Sequence, residues 1–197
     1  MASQGPNIAG TGTNVTGIGT VAWTNPGNIT ANDSNYTVFS VASFKTSNYL
    51  QATNFGFSIP DSATIDGIYV VFYPDDATVA NTQVYILKNN VITGTNKASG
   101  YLMSTNTFGS SNDKWGETWT YDDINSSGFG VSYVCNSFKT AVGSINYITI
   151  TVYYTEGSSP PSNPLYLSSN KLAFNSNGNL LLKSAPPQQQ SPSPARP

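Results

Sequence analysis

Histidine is absent, cysteine occurs once, and charge is scarce; each scarcity removes a class of function. Without histidine there is no usual general base, no Ser-His or Cys-His arrangement and no imidazole metal ligand. With Cys135 alone, no intrachain disulfide can form. Cys135 closes the run Phe129-Gly130-Val131-Ser132-Tyr133-Val134, whose apolar character predicts a buried, unreactive thiol. Charged residues make up 9% of the chain, against the usual quarter. The seven lysines are scattered, the lone arginine, Arg196, lies near the end, and net charge is −2. Nucleic-acid binding needs clustered basic residues, so none is expected. No apolar run reaches bilayer-spanning length, and Met1-Ala2-Ser3-Gln4-Gly5-Pro6 has neither the basic region nor the apolar core of a signal peptide, so no membrane association is expected.

Ser, Thr and Asn fill the gap, at roughly a third of the 197 residues. Such a surface is hydrated by neutral hydrogen-bonding groups. The length supports one domain with appendages. No stretch carries apolar residues at helical spacing, whereas short β-prone runs alternate with Gly, Pro and Asn punctuation. The expectation is an all-β fold, an antiparallel β-sandwich of jelly-roll type, with an extended N-terminal arm and a small C-terminal β-meander.

The strongest run is Ile65–Tyr73, which follows a proline turn at Ile59–Ala63. Ile68, Val70 and Phe72 share one face of a strand, and Tyr69, Val71 and Tyr73 share the other. With neither face polar, this predicts a central strand, buried on both sides or docked to a partner on one. Pro74-Asp75-Asp76 is expected to end it. Before it, residues 1–20 are read as a frayed terminus or an arm lying across a neighbouring subunit. A short strand at Val21–Trp23, an Asn25-Pro26-Gly27 turn and strands at Tyr36–Phe44 and Asn48–Phe57 follow, with Gly56 as a bulge. After it come Gln83–Lys88, a two-residue turn at Asn89-Asn90, Val91–Thr93 and a short strand at Tyr101–Met103. Residues 104–114 read as a polar loop. Lys114–Thr120 reads as a strand with Trp115 and Trp119 on one face, Tyr121–Asn125 as a helical turn, and Phe129–Cys135 as a strand. Ile145–Tyr154 shows the cleanest alternation: Ile148, Ile150 and Val152 inward, Tyr147, Thr149, Thr151 and Tyr153 outward.

The domain is thus expected over residues 21–155, followed by a proline-stiffened linker over 156–164. A meander over 165–183 has strands at Leu165–Leu167, Lys171–Phe174 and Leu180–Leu182. It is too small for a core of its own, so it must dock on its own sandwich or on another chain. A Pro-, Gln- and Ser-rich tail fills 184–197.

Two sets of residues are candidates for function. The acids Asp75, Asp76, Asp113, Glu117, Asp122 and Asp123 are the sole candidates for chemistry. Adjacent aspartates on a strand point apart, so neither pair alone forms a glycosidase site. Calcium is the one cofactor they could hold, and the plainer reading is that they end strands and cap turns. The stripe Tyr147, Thr149, Thr151 and Tyr153, with Leu165, Leu167 and Phe174 of the meander, is the candidate interface. Aromatic rings contribute heavily to binding, but Thr and Tyr also suit an ordinary solvated sheet face.

The motifs Gly19-Thr20-Val21-Ala22-Trp23-Thr24-Asn25-Pro26, Phe55–Pro60 with Ile65–Ile68, Trp115-Gly116-Glu117-Thr118-Trp119-Thr120 and Ile148–Tyr154 resemble a family of β-sandwich proteins of tailed bacteriophages and prophages. The resemblance covers about residues 19–155. It implies a non-enzymatic virion structural protein at the particle surface, with the major capsid protein or other virion proteins and further copies of itself, a trimer among the options, as partners. A capsid decoration or cement role leads. A neck, tail or fibre component is the first rival, and a carbohydrate-binding module for host adsorption the second. The family defines no functional residue to carry over.

Overall fold

The computed structural model of the chain describes residues 1–42, 44–77, 79–101, 106–137, 140–157, 173–174 and 180–181. Two units are present, Met1–Ser158 and Ser159–Pro197. The first holds strands β1 (Ala2–Ile8), β2 (Thr11–Val15), β3 (Thr37–Val41), β4 (Tyr49–Thr53), β5 (Thr64–Ala77), β6 (Ala80–Lys88), β7 (Val91–Thr93), β8 (Gly100–Tyr101), β9 (Asn106–Gly109), β10 (Gly130–Asn136) and β11 (Ala141–Thr155). A 3-10 turn at Pro26–Ile29 and one helical turn, α1 (Tyr121–Asn125), complete it. In the second unit β12 (Ala173–Phe174) pairs with β13 (Leu180–Leu181) as an antiparallel hairpin.

Every ladder is antiparallel. One sheet runs β3-β11-β5-β9 and the other β4-β10-β6-β7. Successive strands alternate between the sheets except along β6-β7-β8, and this order is the jelly roll. β1 extends the first sheet beside β11, β2 extends the second beside β4, and β8 pairs with β6.

The two-residue period of β5 and β11 builds the core. Ile68, Val70 and Phe72 pair with Val152, Ile150 and Ile148, and all six are fully buried. Leu50, Ala52, Val131, Tyr133, Val84 and Ile86 of the second sheet join the same core. An aromatic thread runs Phe39–Trp23–Tyr133–Phe72–Phe108, with ring centroids 5.6, 5.8, 5.1 and 5.5 Å apart. Each such side chain contributes about 1.5–3 kcal/mol on burial. Cys135 lies in this core, and burial pushes its thiol up to about 12, so no thiolate forms near neutrality. Asn89 and Asn90 both take positive φ, 51° and 64°, as a type I′ hairpin turn requires.

The first correction concerns residues 1–20, which are neither frayed nor an arm reaching outward. β1 pairs with β11 from Ala2↔Tyr154 to Ile8↔Thr149, and β2 pairs with β4 from Thr11↔Thr53 to Val15↔Tyr49. Buried Ala9 and the neighbouring Gly10 step between the sheets, hydrogen-bonded to Ile148 O at 3.1 Å and Thr53 O at 3.0 Å. These residues have little to bury, but they satisfy backbone groups that would otherwise line two open sheet edges. Gly5 is required there. Its φ is +109°, and a Cβ would lie 2.5 Å from Ile150 O.

Other expectations shift with the backbone. β5 continues through Pro74 to Ala77 because register shifts around Ile145 accommodate an imide with no ladder donor. β4 stops at Thr53, where Asn54 takes φ 59°; Gly56, at φ 67°, lies beyond the strand and is no bulge within it. Val21 and Thr24 make single bridges to Ser47 and Val38, so Val21–Trp23 is not a strand, although Trp23 is buried. The loop expected over 104–114 contains β9, in which Asn106 and Phe108 alternate inward. Gly100–Tyr101 forms the short strand one residue early, and Leu102 and Met103 lie outside the described residues. Lys114–Thr120 is no strand, because Trp115 (φ 60°) and Gly116 (φ 78°) turn the chain. Both tryptophans are nonetheless buried, and each indole donates to a carbonyl: Trp115 to Ile68 at 3.0 Å and Trp119 to Lys114 at 2.9 Å.

Candidate functional site

The odd-numbered residues of β5 and β11 that avoid the core form the outer face of the first sheet. Pairing sets Tyr73 beside Tyr147, Val71 beside Thr149, Tyr69 beside Thr151 and Gly67 beside Tyr153. β9 adds Thr107 and β1 adds Ser3 and Ile8 at the flanks. None of these side chains is charged. Tyr69, Tyr73, Tyr147, Thr151 and Tyr153 are half-buried, and Ile8 is 37% exposed.

Tyr73 and Tyr147 stack with centroids 4.0 Å apart and planes 11° from parallel. One face of each ring is thereby covered by the other ring. Partial burial raises the Tyr147 phenol above its ordinary range, and the Tyr73 phenol beside it adds to the shift. Thr149 keeps its expected place on the outer face but is covered there: it is 4% exposed, and its Oγ1 has no hydrogen-bond partner. The half-buried tyrosines, not the whole stripe, are what this face offers a partner. At its far end the Ser110-Ser111 turn lies over Gly67, where a Cβ would come within 2.3 Å of the Ser111 carbonyl carbon.

Tyr69 and Tyr73 belong to this face and were not among the sequence candidates. Their signal was present in the alternation Tyr69/Val71/Tyr73. Joining it to the Tyr147 stripe required the register between two strands far apart in the chain. Of the remaining candidates, Phe174 lies in β12 opposite Leu180. Leu165 and Leu167 lie outside the described residues.

The acidic candidates are dispersed as caps and clasps. Asp113 pairs with Lys97 at 2.7 Å and accepts the Trp115 backbone N–H at 2.8 Å. Asp123 pairs with Lys88 at 2.9 Å and closes a capping box with Thr120 at the start of α1. Glu117 accepts from the Gly94 N–H at 3.0 Å and from the Thr93 hydroxyl. Asp75 and Asp122 are exposed. Among the described residues no three His, Cys, Asp or Glu side chains gather, so the calcium expectation finds no ligand set there.

Lys97 also lies over the Trp115 ring at 5.9 Å and Lys88 over Trp119 at 5.5 Å, so two Lys–Asp clasps hold the tryptophan loop on the sandwich. Burial raises both aspartate pKa values. Hydrogen bonds from the lysines and from Trp115 or Thr120, together with the lysine charges, outweigh it and leave both lowered. A carboxyl depressed on folding stabilises above its unfolded value of about 4 and loses that contribution as pH falls through the folded value. Both pairs are partly solvated, so each contributes at most about 1 kcal/mol. Thermal midpoints should therefore hold steady from neutrality to about pH 5 and fall below about pH 4. In Lys88→Met/Lys97→Met protein the acid-side fall should be shallower; an identical pH profile would show that the clasps do not contribute.

No family model and no curated protein matches the chain. A solved structure from a study of the promiscuous specificity of carbohydrate-binding modules of the β-sandwich superfamily is similar at 15% identity and a TM-score of 0.25. The match covers 77% of this chain and 58% of that one. The chain thus spans little more than half of that module, and so slight a likeness bears on no residue of the site. What places the chain is its own strand order: an all-β antiparallel sandwich with jelly-roll topology.

Proposed function

We propose that this chain is a non-catalytic virion structural protein of a tailed phage. Its role is that of a capsid decoration or cement module, with the tyrosine face of the first sheet as its contact surface. The observation that carries the reading is that face: Tyr69, Tyr73, Tyr147 and Tyr153, half-buried among uncharged neighbours and fixed on the two longest strands. Tyrosine brings large contact area with few rotatable bonds and a polar tip, which suits protein contact. Burying it against a capsid subunit would contribute roughly 25 cal/mol per Å² of apolar surface. Repetition over a shell then multiplies weak single contacts. The resemblance over residues 19–155 supplies the particle.

A glycan-binding role for host adsorption is the second reading, favoured by Tyr69 and Tyr153 on the same face. The Tyr73–Tyr147 stack counts against it, because each ring has already lost one of the faces a sugar would cover. A two-stranded pairing such as β12–β13 is marginal alone, so the second unit needs a surface to dock on; self-association through it, with a trimer among the outcomes, belongs to the virion reading.

Antibody-gold electron microscopy on purified particles tests the placement. Label spread over the head supports decoration. Label restricted to the neck or tail moves the protein to an adaptor or fibre role, and absence of label with an accessible epitope removes it from the virion. Tyr147→Ala should weaken particle binding by roughly ten- to thirtyfold while the thermal midpoint moves little. Loss of glycan binding with particle binding intact would favour the second reading.

A further inference from the structure

Among the described residues with positive φ that are not glycine, Phe44 and Trp115 are the aromatic ones; the others are asparagines and one serine, which tolerate that conformation. Trp115 has an internal use for its position, since its indole is wholly buried and hydrogen-bonded. Phe44 has none. Its φ is 60° and its side chain is 79% exposed, at the turn between β3 and β4. The turn is stapled from beneath: the Phe44 N–H donates to Ser137 O at 2.9 Å, the Ser137 N–H to Lys45 O at 3.0 Å, and the Ser137 hydroxyl to Ala42 O at 3.3 Å. A glycine would meet the same backbone demand without the steric cost of a Cβ. The fold therefore tolerates this phenylalanine and does not need it, and strain retained at an exposed aromatic points to use by a partner.

The surroundings define that partner's chemistry. Lys45 follows Phe44 and is exposed. It is the only charged residue between Asp33 and Asp61. The segment that carries Phe44 is thus basic and free of acids, in a chain of net charge −2; the nearest acidic residues along this end of the sheet are Asp75 and Asp76, on β5 across β11. β11 adds Val142, 42% exposed, one residue from the Val41↔Ala141 pair that ends β3.

We propose that Phe44 is an anchor residue that seats in an apolar pocket of a protein partner, with carboxylates at the pocket rim facing Lys45. This contact is separate from the tyrosine face. Choosing the phage particle as the partner to test rests on the virion reading above.

The test uses the full chain, fluorescently labelled and titrated onto particles assembled without it, and in parallel onto vesicles of phosphatidylcholine and phosphatidylglycerol. Phe44→Gly should keep a thermal midpoint no lower than wild type and bind particles at least about tenfold more weakly. Lys45→Glu should weaken binding as well and, unlike wild type, gain affinity as salt rises. Equal particle binding by wild type and Phe44→Gly would overturn the anchor and leave the virion reading standing. Weakening by Phe44→Gly but not by Lys45→Glu would overturn the acidic rim. Phe44-dependent binding to vesicles with Phe44-independent binding to particles would replace the protein pocket with a lipid surface. If wild type itself fails to bind particles, the virion reading falls and the particle pocket with it.

Discussion

Trp115→Ala should cost about 3–5 kcal/mol, the range for truncating a large buried aromatic. The residue is wholly buried in a loop that crosses from the first sheet to α1. Its indole N–H donates to Ile68 O, and its backbone carbonyl accepts from Thr95 N at 2.7 Å. Gly109 leaves the room the ring needs; a Cβ there would lie 2.7 Å from the indole nitrogen. Truncation therefore empties a volume bounded by rigid backbone and leaves the Ile68 carbonyl without this partner. A domain of this size has about 5–15 kcal/mol in total. The variant should lose a large fraction of its urea midpoint with an unchanged slope. Trp115→Phe should fall between the two, since it keeps most of the ring but loses the hydrogen bond, worth about 1–3 kcal/mol when a buried group is stranded. A cost below about 1 kcal/mol for the alanine variant would mean that the loop is not packed as described.

Deleting residues 1–15 should be at least as damaging. The deletion removes β1 and β2 together, and with them the ladders to β11 and β4. At about 1 kcal/mol net per backbone hydrogen bond, losing both ladders costs on the order of 5 kcal/mol or more. It also uncovers the β11 edge over the stretch that carries Ile150 and Val152, and such an edge invites intermolecular pairing. The truncated chain should therefore show a much lower thermal midpoint and a rising tendency to aggregate, read by differential scanning calorimetry and light scattering. An arm reserved for a neighbouring subunit would give the opposite result: an unchanged midpoint and impaired assembly.

Side-chain patterning made β5, β6, β10 and β11 legible, because each is a sustained β-prone run whose alternate residues enter the core. The Asn89-Asn90 turn was legible for a different reason: two residues that tolerate positive φ sit between two β-prone runs. The failures share a cause. β1, β2 and β9 are recruited by the unpaired edges of other strands and carry little pattern of their own. The Trp115–Trp119 spacing suits a strand, yet a left-handed turn at Trp115 and Gly116 buries both rings by another route. For the candidate site, Tyr147 and Tyr153 could be named from β11 alone. Tyr69 and Tyr73 could not be joined to them, and Thr149, outward-facing as expected, is covered by its neighbours.

By itself the sequence determined the class of protein: all-β, sparing of charge, without histidine chemistry and with an inert thiol. Those properties follow from composition and from a two-residue period, which are local. Tertiary structure alone decided which strands pair, that the first fifteen residues complete both sheets, that Tyr73 and Tyr147 stack, and that Phe44 stands outward on a strained turn. Each of these depends on registers between segments far apart in the chain, and register is set by the joint packing of both sheets, not by any one segment's own preference.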